Sequence, residues 1–299
     1  MKKPGKTNTF TAFFLMILVM FLFLGGCERR QKQKNLVQIK GSDTMVNLGQ
    51  AWAEEYMQRY PTMTIAITGG GSGTGIASLI NDTCDIAEVS REMKEEELKI
   101  ARSKGFEPHE IKVALDGLVV VVNPANPVSQ LTIDQLAAIF TGTIKNWQEV
   151  GGNNEKIVIL SREVNSGTHV YFKEHVLRKG KSRGTEEFAP GALLLSSSQA
   201  ISDEVSQNTS AVGYYGMGYI TAKEKALKIA KDKNSEYVEP TLENVVNNAY
   251  PISRPLLMYT RGIPTGAVKE FIDFILSPDG QAIVEKLDFV PVKTFKQME

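Results

Sequence analysis

Apolar positions along the chain follow two periods. Runs that are β-branched or alternate with polar residues predict strands at Leu36-Val37-Gln38-Ile39, at Thr62 to Thr68 through Met63, Ile65 and Ile67, and at Asp85 to Val89. Further strands are predicted at Ile111 to Val122, Ile157-Val158-Ile159-Leu160, Ala211 to Gly216, Ala226 to Ala230 and within Tyr250 to Tyr259. Four-residue spacing of Leu48, Trp52, Tyr56 and Tyr60 predicts a helix over Val46 to Tyr60, ended by Pro61. Helical spacing returns at Val268, Phe271, Ile272 and Ile275, within Thr265 to Leu276. Other helices are predicted to start near Ile76 and after Ser166-Gly167-Thr168. They are also predicted over Lys94 to Lys104, Ser196 to Val205 and Asp279 to Leu287. Thr132 with Gln135 three residues on is a capping-box pattern, opening a helix that runs to about Phe140. Arg178 to Gly191 reads as loop.

The chemistry lies where predicted strands run into predicted helices. Three such turns are rich in hydroxyls or glycine: Gly41-Ser42-Asp43-Thr44-Met45, Gly69-Gly70-Gly71-Ser72-Gly73-Thr74-Gly75, and Arg162 through Ser166-Gly167-Thr168. A helix N-terminus presents backbone N–H groups without partners, which suit an anion. Arg162 adds a planar, permanently charged donor fork. Each turn also has a plain reading, because Ser, Asp and Thr are ordinary N-caps and glycines make ordinary turns. The second turn lacks the Gly-Lys-Ser/Thr ending of a Walker A loop, since Ile76 follows Gly75. Thr74 and Ile76 break G-x-G-x-x-G, and Thr74 breaks G-x-S-x-G. Nucleotide and hydrolase motifs are thus missing. What remains is a nest for a tetrahedral oxyanion, with Arg162 and Ser166-Gly167-Thr168 as one half of it.

Composition narrows the picture. The 299 residues are 42% apolar, enough for one large or two medium domains, and 34 basic side chains balance 34 acidic ones. Zero net charge argues against nucleic-acid binding through a broad basic field. Cys27 and Cys84 make no disulfide framework, and His109, His169 and His175 lack metal-ligand spacing, so no metal or cofactor is expected. Cys84, Trp52, Trp147, Tyr214 and Tyr215 read as packing residues, and His169 as a helix-terminal residue facing solvent. At the N-terminus, Lys2, Lys3 and Lys6 precede the apolar run Phe10 to Leu24, which has the length of a signal-peptide core. Leu24-Gly25-Gly26-Cys27 resembles a bacterial lipobox, implying cleavage before Cys27 and its lipidation. Glu28 to Asn35 has the composition of a tether.

Taken together, the lipobox, GSDTM at Gly41 to Met45, GGGSGTGI at Gly69 to Ile76, DIAEVSRE at Asp85 to Glu92, IFTGTIKNWQEVGG at Ile139 to Gly152 and REVNSGT at Arg162 to Thr168 resemble the phosphate-binding lipoproteins of bacterial ABC importers. The likeness covers about Lys34 to Val292. It implies an α/β, two-lobed periplasmic-binding fold (type II), with two crossover strands and the ligand in a cleft between lobes. The implied layout is a signal peptide at 1–26, a lipidated tether at 27–35, one lobe at 36–122 with 251–299, and the other at 123–250. The crossings are expected at Asn123-Pro124 and within Tyr250 to Tyr259. The implied phosphate contacts are Thr44, Met45 by its amide, Ser72, Arg162, Ser166, Gly167 and Thr168, with Ser42, Asp43, Ser90 and Arg91 as further candidates. Where well-known members carry a proton-accepting aspartate, this chain has Arg91, and Asp43 and Asp116 are the substitutes to test. The implied partners are inorganic phosphate, permease subunits in the membrane and a lipid (palmitate) anchor through Cys27. The chain would then be a monomeric, non-enzymatic lipoprotein held outside the cytoplasm, without nucleic-acid partners. Alternatives are a binding protein for sulfate or molybdate, a secreted phosphatase, or an adhesin or sensor-coupled binding protein; the phosphatase lacks clustered Asp and His ligands.

Overall fold

The strand Leu36–Gly41 (β1) buries Val37 and Ile39 and leaves their neighbours partly covered, the alternation expected of a strand. The structure is a computed structural model and describes residues 35–181 and 184–292. The predicted signal peptide, Cys27 and the tether up to Lys34 lie outside the described residues. After β1 come helix α1 (Val46–Arg59), β2 (Thr64–Thr68), α2 (Ser72–Ile80), β3 (Ile86–Val89), α3 (Glu95–Ser103) and the long β4 (Pro108–Val122). The middle of the chain holds β5 (Gln130–Thr132), α4 (Ile133–Phe140), β6 (Val158–Arg162), α5 (Gly167–Phe172), β7 (Leu193–Leu195), α6 (Ser198–Gln207) and β8 (Ala211–Gly216). It closes with β9 (Lys225–Ala226), β10 (Lys228–Ala230), α7 (Leu242–Val246), β11 (Ser253–Arg261), α8 (Gly266–Ile275), α9 (Pro278–Lys286) and β12 (Val290–Pro291).

The fold is α/β. Its ten-stranded sheet runs β2-β1-β3-β11-β4-β8-β6-β7, with β9 and β12 also on β4, while β5 and β10 form a separate pair. β1 lies parallel to β2 and β3, and β6 parallel to β8, pairings that require the intervening helices as crossovers. β4 and β11 run antiparallel and carry the chain between two cores. From Pro108 to Gly117, β4 pairs with β11; from Leu118 to Val122 it pairs with β8. Side chains change company at the same point. Ile111, Val113 and Ala114 pack with Trp52, Tyr56, Phe271 and Ile275, whereas Leu118 to Val122 pack with Trp147, Phe172, Tyr214 and Tyr215. A third cluster, including Ile76, Leu79, Val89 and Tyr259, covers the other face of the first half.

The packing expectations hold. Trp52 and Trp147 are buried, donating to the carbonyls of Gly280 (2.8 Å) and Ser210 (2.9 Å). Tyr214 stacks on Phe172 at 3.8 Å, and Cys84 is buried. Thr132 and Gln135 form the predicted capping box. Sequence patterning misses β5, β7 and α7, elements of three to five residues that are too short to show a period. The predicted strand Ala226 to Ala230 divides into β9 on β4 and β10 on β5. Among the described residues, no helix is long and apolar enough to cross a membrane.

Candidate oxyanion site between two cores

The three hydroxyl-rich turns converge. Gly41 ends β1 with φ at +148°, and a Cβ there would lie 1.9 Å from the Glu88 carbonyl, so only glycine lets the turn close on β3. Ser42 N then donates to that carbonyl (2.8 Å), and Ser42 Oγ to Ser90 Oγ (3.0 Å). Ser72, opening α2, sits 3.3 Å from Ser90 Oγ and accepts from the Ser90 amide (3.1 Å). These groups belong to the first half. From the second half, Thr168 Oγ1 meets Thr44 Oγ1 at 2.9 Å. Gly167 lies so close that a Cβ would fall 2.3 Å from Ser72 Oγ and 2.6 Å from Ser90 Oγ. Beside it, the Asn165 carbonyl accepts from Gly73 N (3.0 Å) and its Nδ2 donates to the Gly70 carbonyl (2.8 Å). Thr44, Ser72, Ser90, Ser166 and Thr168 are all buried.

Helix ends supply further donors. Met45 is the N-cap of α1 and Gly71 that of α2; neither helix has a side-chain cap bond or an acidic residue in its first turn. The Met45 amide, expected to contact the ion, instead donates to the Ser42 carbonyl (2.9 Å), and no first-turn carboxylate of either helix competes for the other leading amides. Ser166 caps α5 by accepting from His169 N.

Two buried guanidiniums flank the cluster. Arg162 reaches Asp43 Oδ2 and the Ser196 carbonyl through Nη2 (2.7 and 2.8 Å), Ser198 Oγ through Nη1 (3.2 Å) and the Leu195 carbonyl through Nε (3.2 Å). Asp43 also accepts from Gly70 N (2.7 Å), and its carbonyl accepts from Tyr219 OH (2.6 Å). Asp43 thus ties the first half to Arg162 of the second. The other guanidinium, Arg254, escaped the sequence reading. Its Nε and Nη2 hold Asp116 Oδ2 (3.0 and 2.8 Å), its Nη1 holds the Ser90 carbonyl (3.1 Å), and Nη2 also lies 3.3 Å from Thr44 Oγ1 and 3.0 Å from Thr168 Oγ1. Burial pushes Asp116 up and Arg254 down, each opposed by the charge of the other. The available signal was Asp116 inside the apolar stretch Val113 to Val122, and Arg254 directly before Pro255-Leu256-Leu257-Met258, since charges are rarely buried unless paired.

The remaining candidates are set apart. Arg91 is buried, but its guanidinium forms a two-pronged pair with Glu97 (2.8 and 2.7 Å) and donates to the Glu92 carbonyl (2.8 Å), away from the hydroxyl cluster. His169 does not face solvent as expected. It is buried against Phe188, with Nδ1 3.2 Å from Ser161 Oγ, which in turn meets Tyr214 OH at 2.7 Å. Burial drives its pKa down to about 4, so the imidazole is neutral near pH 7.

Glu88, two residues before Ser90 on β3, is buried with Oε1 unpartnered, pressed against Gly49 of α1, where a Cβ would lie 2.6 Å away. Burial pushes its pKa up to about 8 from 4.5. The folded chain then keeps a proton that the unfolded chain releases above pH 4.5, so this group's contribution to stability is full below that pH and is lost as pH rises to about 8. Glu88→Gln should remove this loss. Urea unfolding is expected to show the wild type falling behind the variant by up to about 4 kcal/mol between pH 4.5 and 8, at ~1.4 kcal/mol per pH unit. Parallel pH profiles would mean that Glu88 is ionised throughout.

Comparison with known proteins agrees with this architecture. The sequence model of the PBP superfamily domain matches residues 28–279. The phosphate-binding protein PstS of Pseudomonas aeruginosa is 35% identical over 269 residues, covering 84% of this chain and 81% of that protein. The PstS of Bacillus subtilis is 32% identical over 269 residues, covering 89% and 84%. Among solved structures, a phosphate ABC transporter substrate-binding protein with bound phosphate from Clostridium perfringens superposes with a TM-score of 0.78 at 36% identity, covering 87% of this chain and all of the other. An ABC-type phosphate transport receptor from Vibrio cholerae gives 0.69 at 33% identity, covering 85% and 99%. The chain is a member of the PBP superfamily and belongs to the family of the PstS phosphate-binding proteins.

Proposed function

We propose that this protein captures inorganic phosphate between its two lobes and delivers it to an ABC importer. The observation that carries the reading is the meeting of Thr44, Ser72 and Ser90 from one half with Gly167 and Thr168 from the other, beside the buried Arg162. A phosphate ion is strongly hydrated, and burying it is costly unless its oxygens are paired. Here serine and threonine hydroxyls, helix-terminal amides (Ser72, Gly167) and a guanidinium replace the water. Each charge-assisted bond contributes about 1.5–3 kcal/mol, so four or five suffice for micromolar or tighter binding after the ordering cost. Because the donors are divided between two lobes, the ion favours the closed form, and that form is what a permease distinguishes.

We place the lobe boundary within β4, between Gly117 and Leu118, and at the start of β11, near the turns expected from sequence. Hydroxyls, backbone amides and guanidiniums are groups suited to holding an anion, which supports binding without catalysis. The lipobox supports a signal peptide at 1–26 and a lipid anchor at Cys27; labelled palmitate retained by Cys27→Ala would rule out that anchor. A protonated phosphate needs one acceptor that sulfate does not, and Asp43, at the seam, is the carboxylate we assign to it. Calorimetry should therefore show phosphate binding at micromolar or lower concentration with excess sulfate unable to compete. Equal affinity for sulfate would make this a general oxyanion binder, and release of phosphate from a chromogenic ester would revive an enzyme.

A further inference from the structure

We propose that Arg254 is a third element of the phosphate site, carried by the hinge strands and belonging to neither lobe, with Asp116 holding its guanidinium in place. The inference rests on the phosphate reading above and adds to it a donor outside the three turns.

Three groups meet at one point. Arg254 Nη2 lies 3.3 Å from Thr44 Oγ1 and 3.0 Å from Thr168 Oγ1, and those hydroxyls are 2.9 Å apart. All three can donate, so one oxyanion oxygen placed there accepts a charge-assisted bond and two hydroxyl bonds together. The support behind the guanidinium is rigid. Arg254 on β11 is directly opposite Asp116 on β4, one residue before Gly117, the last β4 residue paired to β11. Asp116 Oδ1 accepts from Met217 N of the second half (3.1 Å), while Arg254 Nη1 is fixed to the Ser90 carbonyl of the first. Gly216 closes over the pair, since a Cβ there would lie 2.7 Å from Asp116 Oδ2 and 2.8 Å from Thr44 Cγ2.

Stability alone is a weak reason for such a pair. Buried ion pairs can often be exchanged for apolar residues of similar size without loss. A guanidinium aimed at two ligand hydroxyls has a use that an apolar pair lacks. Its neutralisation by Asp116, like that of Arg162 by Asp43, leaves the site with directed donors and little net charge. Recognition then depends on geometry more than on a long-range field.

The experiment is phosphate calorimetry on the full chain and three variants, with thermal unfolding to check the fold. Arg254→Met together with Asp116→Leu removes both charges and keeps the volume; it should stay folded and bind phosphate at least a hundredfold more weakly. Arg254→Lys should fall between it and the wild type. Asp116→Asn keeps one acceptor where Met217 N and Arg254 both donate and leaves the guanidinium charge uncompensated, so it should bind phosphate more weakly than wild type but more tightly than the double variant, with a new dependence on ionic strength. A purely structural pair predicts instead that every variant weakens binding alike. That result, or wild-type affinity in the double variant, overturns the inference while leaving the phosphate reading intact. A wild-type protein without phosphate affinity overturns both.

Discussion

Alanine at position 167 is expected to abolish tight phosphate binding while leaving both lobes folded. Gly167 is the first residue of α5, and its φ is not in the left-handed region, so alanine suits the local backbone. The obstacle lies across the seam. The added methyl would fall 2.3 Å from Ser72 Oγ, 2.6 Å from Ser90 Oγ and 3.0 Å from Ser72 Cβ. These are groups of the opposite half, themselves buried and hydrogen-bonded to one another, and they have no room to withdraw. The halves must then stay further apart by a sizeable fraction of an ångström, and hydrogen bonds from both sides to one small ion cannot be made together. Losing two such bonds at about 1.5 kcal/mol each predicts a weakening of about a hundredfold or more. Calorimetry and circular dichroism measure affinity and fold separately. Unchanged affinity in Gly167→Ala would mean that the ligand does not depend on this close approach.

Arg162→Ala has the second largest expected effect, and two consequences. Phosphate binding should weaken by about one to two orders of magnitude, the worth of one charge-assisted contact from the Nη1 hydrogen that the supports of Arg162 leave over. Stability should also suffer, because Arg162 is buried and fastens the end of β6 to the Leu195 and Ser196 carbonyls and to Ser198 Oγ at the start of α6. Its loss leaves Asp43 Oδ2, the Ser196 carbonyl and Ser198 Oγ without the guanidinium, so the melting temperature should also fall, by several degrees for about 1–3 kcal/mol. Ser198→Ala separates the effects: it removes one support of the guanidinium and should lower affinity far less than Arg162→Ala does. Wild-type affinity in Arg162→Ala would take the residue out of the site.

The turns were legible in the sequence because glycine and hydroxyl residues between a strand and a helix have a local cause, the helix N-terminus, that needs no knowledge of the rest of the chain. What the sequence concealed depends on register and on covering. Arg254 and Asp116 are 138 positions apart and become partners only when β4 and β11 align. His169 looks exposed at the start of a helix until Phe188, from a stretch without regular structure, packs over it. Arg91 reads as a site residue beside Ser90, yet Glu97 in the first turn of α3 takes its guanidinium. The Asn123-Pro124 turn marks the end of β4, whereas the change of core happens earlier within the strand, where no turn signals it.

A crystal structure grown in phosphate addresses the central claim most directly. The account predicts one phosphate ion within hydrogen-bond distance of the Thr44, Ser72 and Thr168 hydroxyls and of Arg162, bridging the two halves. A phosphate held by only one half, or bound at another surface while these groups keep their mutual hydrogen bonds, would contradict it.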